Sequence, residues 1–329
     1  AGLFPRRPNW DGLLPVPGDG RYEWDGFFDM DVLPVEYNPE RGFTGTANSM
    51  NLPDDYPIEK YAMAFEWVEP WRYDRLWELL SAQDEHSLED SLALQRDYTA
   101  RRALELIDSI PDAISNPAAE LLRSWDGELG ADSGPGALYV VWLERHLRPA
   151  IQAHVFADDP ALFRSMDTRN ILKVISSGDT AGLLDATLEA AWSEVTSRLG
   201  DDPAEWAWGS IHRTTFRHPL QHLARGELAG QMRLPSYPRG GSSHTTNNTG
   251  YYDDELQVNA GASYRQVIDV GNWDAARMTN APGQSGDPRS PFYANLLRGW
   301  AEEQSFPLLY SREAVEENAA FTILLRPAE

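Results

Sequence analysis

The chain has 329 residues, of which 42% are hydrophobic, so it is long and apolar enough to bury a substantial core. Its formal net charge of -23 argues against nucleic acid or an anionic membrane surface as a partner. It contains no cysteine, which excludes disulfides and thiolate chemistry within this chain, and no apolar run approaches the length of a membrane-spanning helix.

The first forty residues are rich in glycine, proline and aromatic side chains, which predicts an extended segment with turns at 18–20 and 38–39. Asp25, Asp29 and Asp31 are carboxylates of the kind that bind calcium when they cluster. No EF-hand loop surrounds them, so a solvated acidic loop is the favoured interpretation. The segment opens with neither a signal-peptide pattern nor an initiator methionine, and we expect that the chain was cut from a longer one.

The segment 42–75 holds the first candidate site residues. Threonine and phenylalanine at its start predict a strand, and a helix is predicted to begin near Pro70 with Arg72 in its first turn. An amide that follows a strand is held by a rigid scaffold, which makes the NH2 group of Asn48 a candidate donor to an oxyanion. The alternative, which spacing alone favours, is that Asn48 and Asn51 only cap a turn.

The middle of the chain is predicted to be helical and to serve packing and support. Ser87, followed by acidic residues, is a typical N-cap for an apolar run that continues through Ile107. Further helices are predicted over 137–147, 168–177 and 180–199. Pro149 is predicted to stop or kink the first of these three.

Three histidines are candidate metal ligands. His218 and His222 are four residues apart, which on a helix places them on one face, and His212 precedes them. Pro219 lies between the pair, however, and no HExxH pattern is present. Hydrogen bonds from these histidines to the backbone across the subunit are therefore the favoured interpretation.

The last third of the chain mixes loops and strands. Residues 240–250 form a small polar loop that we expect to border a substrate cleft. Alternation over 264–270 predicts a strand, with 276–281 as its partner. A helix is predicted over 291–302, and 321–325 is predicted to be a final buried strand.

Several motifs in combination resemble the penicillin acylase family. Asn48 and Arg72 are preceded by PVPGDGRYEWDG at 15–26 and by Asn38-Pro39. Further matches are WAWGSIHRTTFRHPL at 206–220, GASYRQVIDV at 261–270, APGQSGDPRSPFY at 281–293, Trp300 and the terminal FTILLRP. Each motif alone is weak, but together they follow the family's order over nearly the whole chain.

The resemblance implies an N-terminal-nucleophile amidohydrolase, made as one precursor and split into α and β subunits. In such enzymes the Ser, Thr or Cys that opens the β subunit attacks an amide, and its own α-amine is the base. The position of Asn48 is a side-chain oxyanion donor there, and Arg72 lines and positions the same site. The nucleophile is expected outside this chain, so the chain alone is expected to be inactive.

The implied fold class is α+β. It is a partial four-layer α-β-β-α N-terminal-nucleophile hydrolase sandwich with a large helical middle section. The chain, 1–329, would be the C-terminal portion of the β subunit. It would comprise an extended segment 1–70 with the oxyanion asparagine, a helical section 71–200 and a mixed segment 201–329 with closing strands.

The implied substrate is a penicillin, a cephalosporin, an acyl-homoserine lactone or a related N-acyl compound. Phe65, Trp67 and Trp71 are weak candidates for contacting it, since aromatic residues ahead of a helix more often pack in a core. No metal or other cofactor is predicted, although the family allows a calcium ion whose ligands cannot be assigned here.

The implied partners are the remaining α and N-terminal β segments of the same precursor, and the implied location is periplasmic or secreted. One competing hypothesis is a non-catalytic binding or structural fragment of the same fold. A metal hydrolase that uses His212, His218 and His222 ranks last.

Overall fold

Two units make up the chain, Ala1–Asp84 and Glu85–Glu329. The computed structural model describes residues 3–64, 66–157, 166–251 and 255–327. Within these ranges no helix is both long and apolar enough to cross a bilayer.

The first unit is mostly irregular chain that ends in one helix. Strand β1 (Phe4–Pro5) pairs antiparallel with β2 (Phe27–Phe28). Helix α1 (Trp71–Ser81) follows Pro70, so its predicted start is confirmed. The strand predicted at the start of 42–75 is wrong, because residues 43–46 form no strand. A strand needs a hydrogen-bonded neighbour, and the described part of this unit offers none to that segment.

Few hydrophobic side chains of the first unit are covered. Trp71 is the one hydrophobic residue that is buried among those described in Ala1–Asp84. Val35 and Tyr37 are each 84% exposed, and Leu14 is also exposed. This unit therefore buries no core of its own within the described residues.

Helices form the first half of the second unit. The longer ones are α2 (Leu88–Gln95), α3 (Arg101–Asp108), α4 (Pro117–Arg123), α5 (Gly134–Val141), α6 (Arg148–Val155), α7 (Thr168–Ser177) and α8 (Ala181–Leu199). The apolar faces of α3 to α8 meet in one core that includes Leu106, Leu138, Trp142 and Leu188. The shorter helices that follow are α9 (Trp208–Ile211), α10 (Gly226–Gln231), α11 (Leu297–Ala301) and α12 (Arg312–Glu317).

The start of α2 shows the predicted cap. Ser87 Oγ accepts from the Asp90 backbone N–H at 3.1 Å, and the Asp90 carboxylate accepts from the Ser87 N–H at 2.9 Å. These reciprocal bonds satisfy two N–H groups that the helix itself leaves unpaired. The apolar run predicted through Ile107 is divided between α2 and α3.

The predicted helix 137–147 is longer than expected. The backbone is helical from Gly134 to Val155, with a π-helical segment at Trp142–Leu147 between α5 and α6. Pro149 does not end it, because it follows the π-helical segment, where the regular hydrogen-bond pattern that a proline would interrupt is already altered. The irregular part of this helical stretch is the π-helical segment Trp142–Leu147, which precedes Pro149.

Short antiparallel sheets form the end of the second unit. Strand β3 (Thr249–Gly250) pairs with β4 (Ala260–Gly261). Strand β5 (Arg265–Val267) pairs with β6 (Arg277–Thr279), which confirms the predicted partners, and β6 also pairs with β7 (Phe306–Pro307).

Two predictions near the C-terminus are corrected. The helix predicted over 291–302 is limited to Leu297–Ala301. The buried strand predicted at 321–325 is wrong, because these residues form no strand and Leu325 is 89% exposed. Its apolar side chains favour a strand, but the described residues place no partner strand beside it.

The polar loop 240–250 is largely buried, and its place beside a substrate cleft stays a prediction. Asn247 is fully buried, and its Nδ2 donates to Gly240 O at 3.2 Å and to Thr249 Oγ1 at 2.7 Å. Its Oδ1 accepts from Thr245 Oγ1 at 2.5 Å. These polar groups satisfy one another, so the loop is an internal element of the fold.

A buried ionic cluster joins this loop region to the C-terminal strands. Arg239 is 0% exposed, and its Nη2 lies 2.7 Å from Glu303 Oε1. Arg265 Nη1 lies 2.6 Å from Glu303 Oε2, and the Tyr98 hydroxyl donates to Glu303 at 2.7 Å. The Arg239 guanidinium also lies 4.3 Å from the centre of the Trp300 ring. Glu303 is thus the carboxylate that two buried cations share.

We predict that Glu303→Ala lowers the free energy of unfolding by about 3–5 kcal/mol, because it leaves buried guanidinium groups without their counter-charge. Chemical denaturation of the protein measures the change. Glu302→Ala is the matched control, since Glu302 pairs with Arg298 at the exposed surface and should cost at most about 1 kcal/mol. Equal losses in the two variants would contradict this account of the cluster.

Candidate active site

The segment 41–48 packs along helix α1. The Phe43 ring lies 5.1 Å from the Trp77 ring, and the Arg41 guanidinium lies 4.5 Å from the same ring. At Gly45 the backbone approaches so closely that an ideal Cβ would lie 2.7 Å from Leu76 Cδ2. These contacts run toward the N-terminus of α1 and bring Asn48 to its first turn.

Asn48 is held from two sides. Arg72 Nη2 donates to Asn48 Oδ1 at 2.9 Å, and the Asn48 carbonyl accepts from the Val68 N–H at 3.2 Å. The backbone of Asn48 has φ 66°, a left-handed conformation that asparagine tolerates better than most residues. Side chain and backbone are therefore both fixed.

The bond from Arg72 also decides which way the amide of Asn48 points. A guanidinium only donates, so the amide must turn its oxygen toward Arg72 and its NH2 group away. Asn48 is exposed, and its Nδ2 donates to no group among the residues that the structure describes. The site thus presents an oriented amide donor without a partner among the described residues.

Arg72 supplies an uncompensated positive charge. Burial lowers the pKa of Arg72 from its ordinary value, but a guanidinium keeps its charge at neutral pH. Across the described ranges Arg72 forms no ion pair with a carboxylate, and its Nε is buried without a hydrogen-bond partner. Its donation to Asn48 polarises the amide and strengthens the remaining N–H groups as donors. Together the two residues favour negative charge beside Asn48.

Ser49 belongs to the same locality, and the sequence analysis missed it. Its side chain is buried, and its Oγ has no hydrogen-bond partner among the described residues. Its only signal in the sequence was its position after Asn48.

The aromatic candidates differ in placement. Trp71 is buried at the start of α1, Trp67 is half-buried, and Phe65 lies outside the described residues. Contact of these side chains with a substrate stays a prediction.

Asn48 and Arg72 can stabilise charge but cannot attack a carbonyl, since neither an amide nor a guanidinium is a nucleophile. The arrangement can therefore donate hydrogen bonds to an oxyanion, but any attacking group would have to come from other residues.

The three histidines lie in separate places. His212 is buried, stacks on Trp208 at 4.5 Å, and donates from Nδ1 to Leu256 O at 2.7 Å. His218 Nε2 lies 3.0 Å from Gly286 O, and His222 Nδ1 lies 3.0 Å from Pro219 O. The predicted bonds to distant backbone are thus confirmed for His212 and His218, whereas the bond of His222 is local. The described part of the chain holds no group of three or more His, Asp or Glu side chains placed to bind a metal ion.

The sequence model of the penicillin amidase family matches residues 1–317. The chain belongs to the penicillin amidase family. The resemblance that the motifs predicted is confirmed.

Two proteins of similar sequence are acylases by name. Acyl-homoserine lactone acylase QuiP of Pseudomonas fluorescens (strain Pf0-1) is 29% identical over 92% of this chain and 41% of its own length. Penicillin acylase 2 proenzyme of Pseudomonas sp. (strain SE83) is 32% identical over 98% of this chain and 44% of its own length. The chain therefore spans about two fifths of the length of these relatives.

A solved structure supports the fold. Thermostable penicillin G acylase from Alcaligenes faecalis matches 99% of this chain and 65% of that chain with a TM-score of 0.59 and 18% identity. At this identity the likeness concerns the fold alone. It confirms the predicted α+β class as a partial N-terminal-nucleophile hydrolase fold.

His212 generates a prediction about pH. Burial lowers the pKa of His212 from 6.5 to about 4, so between these values the unfolded chain binds a proton that the folded protein does not. Stability is therefore lost as the pH falls from about 7 toward 4, by up to about 1.4 kcal/mol per pH unit. We expect His212→Phe to flatten this dependence when unfolding is measured across that range.

The control for this measurement is His222→Phe, which changes an exposed histidine and should keep the dependence of the wild type. A His212→Phe variant with the wild-type slope would contradict the prediction.

Proposed function

We propose that this chain is part of a linear-amide hydrolase that cleaves the acyl–amide bond of a small N-acylated compound. The observation that carries the proposal is the 2.9 Å bond from Arg72 to Asn48, which leaves the Asn48 NH2 group free to donate. Membership of the penicillin amidase family and similarity to two named acylases support it.

The reaction proceeds through an acyl-enzyme. An N-terminal Ser, Thr or Cys outside this chain attacks the amide carbon, and its α-amine accepts the proton. The carbonyl oxygen becomes an oxyanion, to which Asn48 Nδ2 donates while the charge of Arg72 stabilises it at longer range. The amine leaves with the proton, and water then releases the acid through a second oxyanion held by the same groups.

The nucleophile and its surroundings come from the remaining α and N-terminal β segments of one precursor. The chain is then the C-terminal portion of the β subunit and is inactive alone. Two observations support this assembly. The chain spans 41% and 44% of the two relatives, one of which is named a proenzyme. The first unit also leaves Val35, Tyr37 and Leu14 exposed, which suits a surface covered by another part of the precursor.

The substrate class follows from the relatives' names, which refer to acyl-homoserine lactones and penicillins. A penicillin, a cephalosporin, an acyl-homoserine lactone or a related N-acyl compound is the proposed range. The proposed location is periplasmic or secreted. Assays of the complete enzyme with one member of each class decide among the substrates.

Replacing Asn48 tests the proposed donor. We expect Asn48→Ala in the complete enzyme to lower kcat by about two to three orders of magnitude, because an oxyanion loses its oriented donor, while KM changes little. Steady-state kinetics with the best substrate measure both, and thermal unfolding checks that the variant is folded.

Asn51→Ala is the matched control for Asn48→Ala, because Asn51 is an exposed asparagine only three positions further along the same segment. It should retain wild-type kcat. A folded Asn48→Ala enzyme with wild-type turnover would remove Asn48 from the mechanism.

Replacing Arg72 tests the orientation of the amide. Arg72→Lys keeps a positive charge but loses the planar group that reaches Asn48, and a hydrogen bond to a charged group is worth about 1.5–3 kcal/mol. We therefore expect kcat to fall roughly 10- to 100-fold in the same assay. Arg75→Lys is the control on the same helix, since Arg75 pairs with Glu78 at 2.8 Å, and it should be nearly neutral. An equal effect of the two changes would contradict the role given to Arg72.

A further inference from the structure

At Gly45 the backbone of the segment 41–48 lies close against helix α1. An ideal Cβ on Gly45 would lie 2.7 Å from Leu76 Cδ2, 3.3 Å from Leu76 Cγ and 3.7 Å from Leu80 Cδ1. The φ of Gly45 lies outside the left-handed region, so its backbone conformation does not require glycine. The absence of a side chain here instead allows the backbone to lie against the helix.

This close contact lies on the same helix face as the candidate site. Leu76 is four residues after Arg72, so the two side chains are neighbours on α1. Gly45 is three residues before Asn48, and the bond between Asn48 and Arg72 is 2.9 Å long. The separation of segment and helix at Gly45 and Leu76 therefore limits how near Asn48 can come to Arg72.

A small increase in that separation is enough to break the arrangement. Lengthening an N–H···O bond from 2.9 Å by about 1 Å takes it out of hydrogen-bond range. The amide of Asn48 would then be free to rotate, and its NH2 group would lose its fixed direction.

We propose that Gly45 and Leu76 are positioning residues for Asn48. Their contact sets the distance at which Arg72 fixes the amide, and through it the direction of the oxyanion donor. Neither residue touches the reacting atoms. The inference rests on the proposed function and adds to it two residues that act only through Asn48.

A pair of compensating substitutions in the complete enzyme tests the proposal. Gly45→Val places a side chain against Leu76, and we expect kcat to fall about 10- to 100-fold with little change in KM. Leu76→Ala removes as many carbon atoms as valine adds, so the double variant conserves volume at the contact. We expect the double variant to recover kcat to within about threefold of the wild type.

Two further measurements separate positioning from general damage to the fold. Gly18→Val is the control, because no atom lies within 4 Å of an ideal Cβ at Gly18, and it should leave kcat unchanged. In an enzyme that already carries Asn48→Ala, Gly45→Val should lower kcat no further, since the residue it acts through is gone.

The outcomes distinguish this inference from the function on which it rests. Wild-type turnover in Asn48→Ala would overturn the proposed function itself. If Asn48→Ala loses turnover but folded Gly45→Val keeps full kcat, the positioning role is overturned. The same follows if Leu76→Ala restores nothing, or if Gly45→Val is equally harmful with and without Asn48.

Discussion

The hydrogen bond from Arg72 to Asn48 is the interaction on which the candidate site depends. Asparagine carries a donor and an acceptor at the end of one side chain, and it can present either one. Arginine can only donate, so contact with Arg72 selects one orientation of the amide. The NH2 group of Asn48 is therefore fixed in one direction as a donor. The positive charge of Arg72 beside it also favours a negatively charged group at that place.

The support for this bond comes from packing against a helix. Residues 43–46 form no strand, so no ladder of backbone bonds holds Asn48 in register. Its position depends instead on the rings of Phe43 and Trp77, on the close approach at Gly45 and on the bond to Val68. The first unit has little buried apolar surface of its own, which fits our proposal that the rest of a precursor completes it.

Local signals in the sequence predicted local structure well. The cap at Ser87 and the helix start at Pro70 depend on neighbouring residues and were confirmed. The strands predicted at 42–46 and 321–325 were wrong, because strand formation depends on a distant partner that no local pattern reveals. The family resemblance named Asn48 and Arg72, but only the structure shows the bond that orients the amide.

A crystal structure of the complete enzyme with a tetrahedral transition-state analogue tests the central claim most directly. The analogue's negatively charged oxygen marks the place where the oxyanion forms. We predict that Asn48 Nδ2 lies about 2.7–3.1 Å from that oxygen, with Arg72 still bound to Asn48 Oδ1. A structure in which Asn48 is remote from the analogue and from every chain-terminal hydroxyl or thiol would contradict the account.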